Sequence, residues 1–329
     1  METNMTTLLS FGEVLVDLLP VDDQPLMHQP IAGGAPANVA VGYAKLGGRS
    51  YFAGGISDDE YGHMLTRELA GHGVDVSHLA LVPNAATATV LVNLDANGER
   101  SFSFNRQDTA DMLYSAAHFD SLNWSVVDIF HLCSNTFTEA AIFNSSMHGV
   151  KTAYAQKKLI SFDVNLRLSL WADVNLLAGR VEQCLPYTHV LKMSHEEAVF
   201  LAGARGVDVE EYLQHCLHQG VTLILITNGP EPVRCFSQAF SFEVAVPCIQ
   251  PVDTTAAGDS FVAGLLWQLG ESFEHASAGD YGNVTEVLSS RAVVEHAVKF
   301  AIKCGAMTCS VKGAFPALPS LVELIKSEK

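Results

Sequence analysis

Two rhythms of apolar residues alternate along this chain: short unbroken runs, and longer stretches repeating every three to four positions. Leu8 to Val16 is the first run. Ala37 to Leu46 reads as a helix stopped by Gly47-Gly48. A second helix opens at Asp58, carries Tyr61, Met64, Leu65 and Leu69 on one face, and ends near Gly73. Leu159 to Phe162 and Val190 to Lys192 have the length and composition of short buried strands. Val209, Tyr212, Leu213, Cys216 and Leu217 keep helical spacing up to Gly220, and Val221 to Ile226 follows as an apolar run suited to a strand covered on both faces. Phe261, Val262, Leu265, Leu266 and Leu269 mark a further helix, and Val293 to Met307 another. This succession argues an α/β fold with a central, mostly parallel sheet flanked by helices.

One region departs from the alternation. Thr87 to Leu94 and Glu99 to Asn105 are β-rich and flank Asp95-Ala96-Asn97-Gly98. Asn-Gly between such runs signals a hairpin. With Val14 to Leu19 it forms a small sheet outside the main layer, suited to act as a lid.

Composition narrows the class. The 329 residues include 19 Lys+Arg against 36 Asp+Glu, a formal charge of −17. Such a chain repels phosphate backbones and anionic lipid, so neither nucleic acid nor a membrane surface is expected as a partner. With 48% hydrophobic and 17% charged residues, the chain is a globule with a core. The seven cysteines are odd in number and form no C-x-x-C pair, which reads as reduced thiols in a cytoplasmic protein. Met1-Glu2-Thr3-Asn4 lacks the features of a secretory signal, and no apolar stretch is long enough to span a bilayer.

The stretch most suggestive of chemistry is Asp253-Thr254-Thr255-Ala256-Ala257-Gly258-Asp259-Ser260-Phe261, small residues leading into an apolar helix. Small side chains let backbone amides approach a ligand closely, and a helix N-terminus adds partial positive charge, so the pattern suits an anion. Asp259 falls in the first turn, where a carboxylate can take the proton of a hydroxyl attacking a phosphoryl group. The same aspartates could simply cap the helix. Likewise Ser194-x-x-Glu197 is a capping box ahead of an apolar helix.

Asp253 to Asp259 matches the D-T-x-[GA]-A-G-D signature of the ribokinase-like (PfkB) carbohydrate kinases, and Gly33-Gly34-Ala35-Pro36-Ala37-Asn38 matches their N-terminal G-G-x-x-x-N signature. The two lie about 220 residues apart in the family's order. Phe104-Asn105-Arg106 with Ala110-Asp111-Met112-Leu113, Asp163-Val164-Asn165-Leu166-Arg167, and Lys192-Met193-Ser194-His195-Glu196-Glu197 resemble the fructokinase branch. The resemblance runs from Gly12-Glu13 to Pro319. It implies a single ribokinase-like domain over residues 1–329, with a lid from about 13–32 and 87–107. It implies ATP-dependent phosphorylation of a sugar hydroxyl, D-fructose to fructose 6-phosphate first. Ketodeoxygluconate, ribose and nucleoside kinases are the alternatives within the family; a catalytically silent sugar-binding regulator is the alternative outside it.

The resemblance also assigns residues. Asp259 is the general base, and the backbone of Ala256, Ala257 and Gly258 forms the anion hole. Asp17, Gly33, Gly34 and Asn38 hold sugar hydroxyls, while Arg106 on the lid and Arg167 after a strand close over the substrate. Lys192, Ser194, Thr227, Gly229 and Gly258 fall on the nucleotide side, with the Thr227-Asn228-Gly229-Pro230-Glu231-Pro232 stretch as a nucleotide loop. Glu197 is associated with Mg2+, and Asp253, Thr255 and Gly313 with a monovalent cation, K+. ATP and a small sugar are the implied partners, and a homodimer paired through the lid is expected. The sequence contains no G-x-x-x-x-G-K-[ST] and no H-E-x-x-H, and the His215-Cys216-x-His218 cluster lies on an apolar helical stripe, away from any metal pattern.

Overall fold

The computed structural model describes residues 6–21, 24–94, 100–273 and 284–327. The elements follow in the order β1 (Thr7–Phe11), β2 (Leu15–Val21), β3 (Gln24–Gly33), α1 (Ala35–Lys45), β4 (Arg49–Ser57), α2 (Glu60–Gly71) and β5 (Asp75–Val82). Then come β6 (Thr89–Leu94), β7 (Arg100–Asn105), α3 (Ala116–Asp120), β8 (Ile129–Cys133), α4 (Ala140–Ala155), β9 (Leu159–Asp163), α5 (Asn175–Cys184) and β10 (Val190–Ser194). The C-terminal third holds α6 (His195–Arg205), α7 (Val209–Gln219), β11 (Leu223–Asn228), β12 (Glu231–Phe236) and β13 (Ser241–Val244). It closes with α8 (Ala257–Phe273), α9 (Val284–Ser289), α10 (Arg291–Thr308) and α11 (Leu321–Lys326).

Nine strands form the main sheet in the order β13-β12-β11-β10-β9-β8-β1-β4-β5. All pairings from β11 to β5 are parallel, and β12 and β13 add an antiparallel edge. Both faces of the central strands β1, β8, β9, β10 and most of β11 are buried, which explains their unbroken apolar runs. Leu223 and Leu225 of β11 join one core with α8 and α10, while Ile224 and Ile226 join the opposite core with α4 to α7.

The order of strands matters for function. The chain passes from β1 to β4 on one side and later from β8 to β9 on the other, so connections leave the β1/β8 pair in opposite directions. Open α/β sheets bind ligands in the crevice beyond the carboxyl ends of strands at such a switch point. Glu13 follows β1 there and Asn135 follows β8.

The helix boundaries have local causes. Asp59 caps α2 by accepting from the Gly62 amide at 2.7 Å, and Asp208 caps α7 by accepting from Glu211 at 2.8 Å. Gly220 ends α7 in the left-handed region. Among the described residues no helix is long and apolar enough to cross a membrane.

A second, four-stranded sheet has the order β3-β2-β6-β7. Its β6–β7 pairing runs antiparallel from Thr89↔Asn105 to Leu94↔Arg100. The Asn97-Gly98 turn lies outside the described residues.

The 227–232 stretch forms the β11–β12 hairpin. Asn228 pairs directly with Glu231, so only Gly229 and Pro230 connect β11 to β12, and Pro232 lies inside the edge hairpin. The nucleotide-side stretch expected at 227–232 thus takes the form of a tight β11–β12 turn, because the antiparallel strand β12 returns at once.

Candidate active site

A cleft of about 770 Å³ lies between the carboxyl ends of the main strands and the inner face of the small sheet, a volume suited to a small ligand. Leu15, Asp17, Leu19, Ile31, Val90, Val92 and Phe104 form its small-sheet wall. Opposite stand Asn38, Arg167, Asp253 to Ala256, Asp259 and Gly313.

Asp259 occupies the first turn of α8 and is only 8% exposed. Its Oδ2 accepts from Asn38 Nδ2 at 2.7 Å and its Oδ1 from Asn165 Nδ2 at 3.4 Å. Burial raises the carboxyl's pKa, against the Asn38 hydrogen bond and the charges of Lys192 and Arg167. Ala256 and Asn165 both hold positive φ, 59° and 39°, on either side of this carboxylate. Non-glycine residues persist there only where the surroundings enforce it, and such strain gathers at functional sites.

The helix mouth differs in detail from the expected anion hole. The Ala257 amide donates to the Thr254 carbonyl at 3.3 Å, and the Ser260 amide to Ala256 at 2.8 Å. Among the described residues, the amides of Ala256, Gly258 and Asp259 donate to no carbonyl. The open donors are therefore these three, with Ala257 drawn back into the turn.

Asp17 is half-buried, and desolvation lifts its pKa to about 6. A Cβ on Gly33 would stand 2.5 Å from Asp17 Oδ2, so the glycine permits the approach. Gly34 caps α1 at φ 111°, and a Cβ there would meet the Glu13 carbonyl at 2.5 Å. Asn38, assigned to the sugar, donates one of its two amide protons to Asp259, and its Oδ1 has no partner.

Arg106, expected to close over the substrate from the lid, directly follows β7 of the small sheet and points into buried contacts. It is 7% exposed, its Nε contacts Asp111 Oδ2 at 2.6 Å, and its Nη1 donates to the Asn135 carbonyl at 2.7 Å. It is anchored at the cleft floor, because a buried guanidinium needs carboxylate partners. Arg167 is exposed at the cleft wall and donates to the Leu166 carbonyl at 2.9 Å.

The nucleotide-side residues are more dispersed. Lys192 is buried with its Nζ 3.1 Å from Asp163 Oδ2, and a Cβ on Gly258 would stand 3.3 Å from that ammonium. Burial works against its charge, yet Asp163, Glu197 and Asp259 leave its pKa raised. Ser194 and Glu197 form the capping box of α6. Glu197 Oε2 accepts from the Ser194 amide and Oε1 from the Leu166 amide, at 2.7 and 2.8 Å. Thr227 and Gly229 sit at the carboxyl end of β11, next to Ser194 in register and outside the cleft lining.

Asp253 Oδ1 accepts from the Thr255 amide and hydroxyl, at 3.0 and 2.7 Å, while Oδ2 accepts from Gly313 at 3.1 Å. The carboxylate thus ties the lead into α8 to the segment after α10. No group of three His, Cys, Asp or Glu that could hold a metal occurs among the described residues. Each Glu197 oxygen already serves an amide, so this carboxylate fits a divalent ion only through its remaining lone pairs.

Sequence reasoning missed Glu13, Asp111, Asn135, Asp163 and Asn165. Four of them lie inside stretches that carry the family resemblance; Asn135 has no local signal.

Residues 5–321 match the pfkB family of carbohydrate kinases. A probable fructokinase of Arabidopsis thaliana is 36% identical over 322 residues, covering 96% of this chain and 90% of that protein. A fructokinase from Xylella fastidiosa with bound ATP superposes with a TM-score of 0.90 at 35% identity, covering 97% of each chain. A double-mutant fructokinase from Vibrio cholerae, with fructose, ADP and a potassium ion bound, superposes with a TM-score of 0.85 at 31% identity, covering 99% of each. Matched by the family model over residues 5–321 and by these relatives over nearly its whole length, the chain belongs to the pfkB family of carbohydrate kinases.

Proposed function

We propose that the protein transfers the γ-phosphoryl group of ATP to the 6-hydroxyl of D-fructose, giving fructose 6-phosphate and ADP. The observation that carries the reading is the placement of Asp259, buried in the cleft wall beside three open amides at the mouth of α8. The fructokinase relatives support the choice of sugar.

The sugar oxygen attacks the γ-phosphorus as the bond to the ADP oxygen breaks, and Asp259 takes the hydroxyl proton. In a loose transition state the nucleophile needs little prior deprotonation, so this transfer comes late. Most of the acceleration then comes from alignment and from amides facing the charge on the migrating group. Asn38 and Asn165 orient the base, and Asp17 accepts from sugar hydroxyls. Arg167 supplies positive charge at the wall.

The cleft is acidic: Glu13, Asp17, Asp253 and Asp259 line it with Arg106 and Arg167. Mg2+ would neutralise the charge of the triphosphate, and Glu197, whose oxygens keep spare lone pairs, is the residue that would help hold it. Backbone carbonyls of Asp253, Thr255 and Gly313 are the proposed ligands of K+. The small sheet acts as a lid within a single domain, excluding water that would otherwise consume ATP. Its strands also offer the surface for a homodimer. The described cysteines are all free, in keeping with a reducing cytoplasm.

The test is ADP release on mixing protein, ATP and Mg2+ with a panel of sugars, sugar acids and nucleosides. Fructose should give the highest kcat/KM. Sugar binding without ADP release would instead identify a silent regulator.

A further inference from the structure

Asp163 and Lys192 face each other in register at the carboxyl ends of β9 and β10, and both are buried. Lys192 Nζ donates to Asp163 Oδ2 at 3.1 Å, which uses one of the ammonium's three protons. Among the described residues the other two meet no acceptor. The same ammonium abuts the mouth of α8. A Cβ on Gly258 would stand 3.3 Å from Nζ, and the Gly258 amide is one of the open donors there. Lys192 lies outside the lining of the cleft, so its charge reaches the mouth from the β10 side.

A buried ion pair is a poor device for stability. Desolvating two charges offsets most of their attraction, and an apolar pair of similar volume serves a core as well or better. This pair is also incompletely bonded, since Asp163 Oδ1 has no partner. Charge at the mouth gives it another use. Three carboxylates, Asp163, Glu197 and Asp259, act on the single ammonium. His131 and Cys133 of β8 are the other titratable groups beside it, and burial keeps the first a neutral imidazole and the second a thiol. An anion held by the open amides would meet net repulsion here without Lys192.

We infer that Asp163 is a positioning residue that holds the Lys192 ammonium against the mouth of α8, where Lys192 stabilises the migrating phosphoryl group more than it does bound ATP. The bond from the sugar oxygen to the γ-phosphorus forms as the bond to the ADP oxygen breaks, the hydroxyl proton passes to Asp259, and charge spreads over the outer oxygens of the group in flight. A fixed ammonium beside those oxygens contributes most when their charge is reorganising. Asp163 Oδ2 accepts from Lys192 whether or not Oδ1 carries a proton, so the contact does not depend on the carboxyl's ionisation. The inference rests on the sugar-kinase reading and adds a cation that acts in the chemical step.

The test compares wild type with Lys192→Met, Asp163→Leu and the two combined, by steady-state ADP release with fructose, calorimetric ATP binding and thermal melts. Lys192→Met should lower kcat by about 100-fold or more, with ATP affinity within about threefold of wild type. Asp163→Leu should lower kcat by at least about tenfold, yet change it by less than about threefold when added to Lys192→Met. The double variant exchanges the ion pair for apolar side chains and should melt at least as high as either single variant. A merely structural pair would regain its rate together with its stability, so a double variant with near-wild-type kcat overturns the inference. Lys192→Met with normal kcat and weakened ATP binding overturns it too, because Lys192 would then be a ground-state contact only. If Lys192→Met fails to melt cooperatively, the double variant decides. Wild type that binds ATP and releases no ADP with any sugar fails as a kinase, whereas wild-type turnover with an equally fast double variant fails this inference alone.

Discussion

Asn38 and Asp259 are 221 residues apart in sequence, yet the Asn38 amide donates to the Asp259 carboxylate at 2.7 Å. The contact joins the first turns of α1 and α8, and with them the two signature stretches of the chain. It orients a carboxylate that burial would otherwise push toward its neutral form.

Replacing that carboxylate should separate activity from stability. Asp259→Asn is expected to lower kcat by at least about 100-fold, the usual worth of a general base, with ATP binding nearly unchanged. Because burial raises the folded-state pKa of Asp259, ionisation costs stability as pH rises above the unfolded carboxylate range. The variant should therefore melt at least as high as wild type at neutral pH. Coupled ADP assays and thermal melts check both parts; near-normal kcat would remove Asp259 from the chemistry.

The sugar clamp should titrate. Burial lifts Asp17 to about 6, and its ionised form is the better hydroxyl acceptor. The sugar KM should fall as pH rises through that value, over a window about one unit either side. Asp17→Asn should abolish the dependence, and Asp17→Ala should raise KM by an amount corresponding to about 1–3 kcal/mol. A KM flat with pH in the wild type contradicts the assignment.

At the cleft floor, Asp111→Asn leaves a buried guanidinium with only the more distant carboxylates of Glu13 and Glu139. Breaking a buried pair in this way costs about 3 kcal/mol or more, readable as a lowered denaturant midpoint. A midpoint equal to wild type would mean that Arg106 does not depend on Asp111.

Ion exchange tests the segment around Asp253. Potassium should stimulate turnover over sodium, and a bulky organic cation should give the lowest rate. Equal rates in all three would leave Asp253 with its hydrogen bonds to Thr255 and Gly313 alone.

Gly34 offers a test of the backbone. Alanine there forces a Cβ against the Glu13 carbonyl at φ 111°, a strain of about 1–3 kcal/mol. The variant should melt lower than wild type and bind sugar less well.

Features carried by contiguous residues are legible in the sequence. The apolar runs of β1, β9, β10 and β11, the caps and glycine stops of α1, α2 and α7, and the small-residue turn ahead of α8 each depend on neighbours within a few positions. Backbone preference and burial pattern act at that range. The two-residue turn at Gly229-Pro230 is not legible in this way, because the antiparallel return of β12 is decided by its sheet partners.

What the linear chain determined, then, was the α/β class, the small sheet, and the pairing of an amide-rich helix mouth with a first-turn carboxylate. Strand order alone decided who meets whom at that mouth. It brought Asn38 to Asp259, Lys192 to Asp163, and Glu13 and Asn135 to Arg106. These contacts span roughly 30 to 220 residues of separation. A buried charge settles its partner only when the whole sheet has assembled, because its energy depends on every carboxylate and amide packed around it.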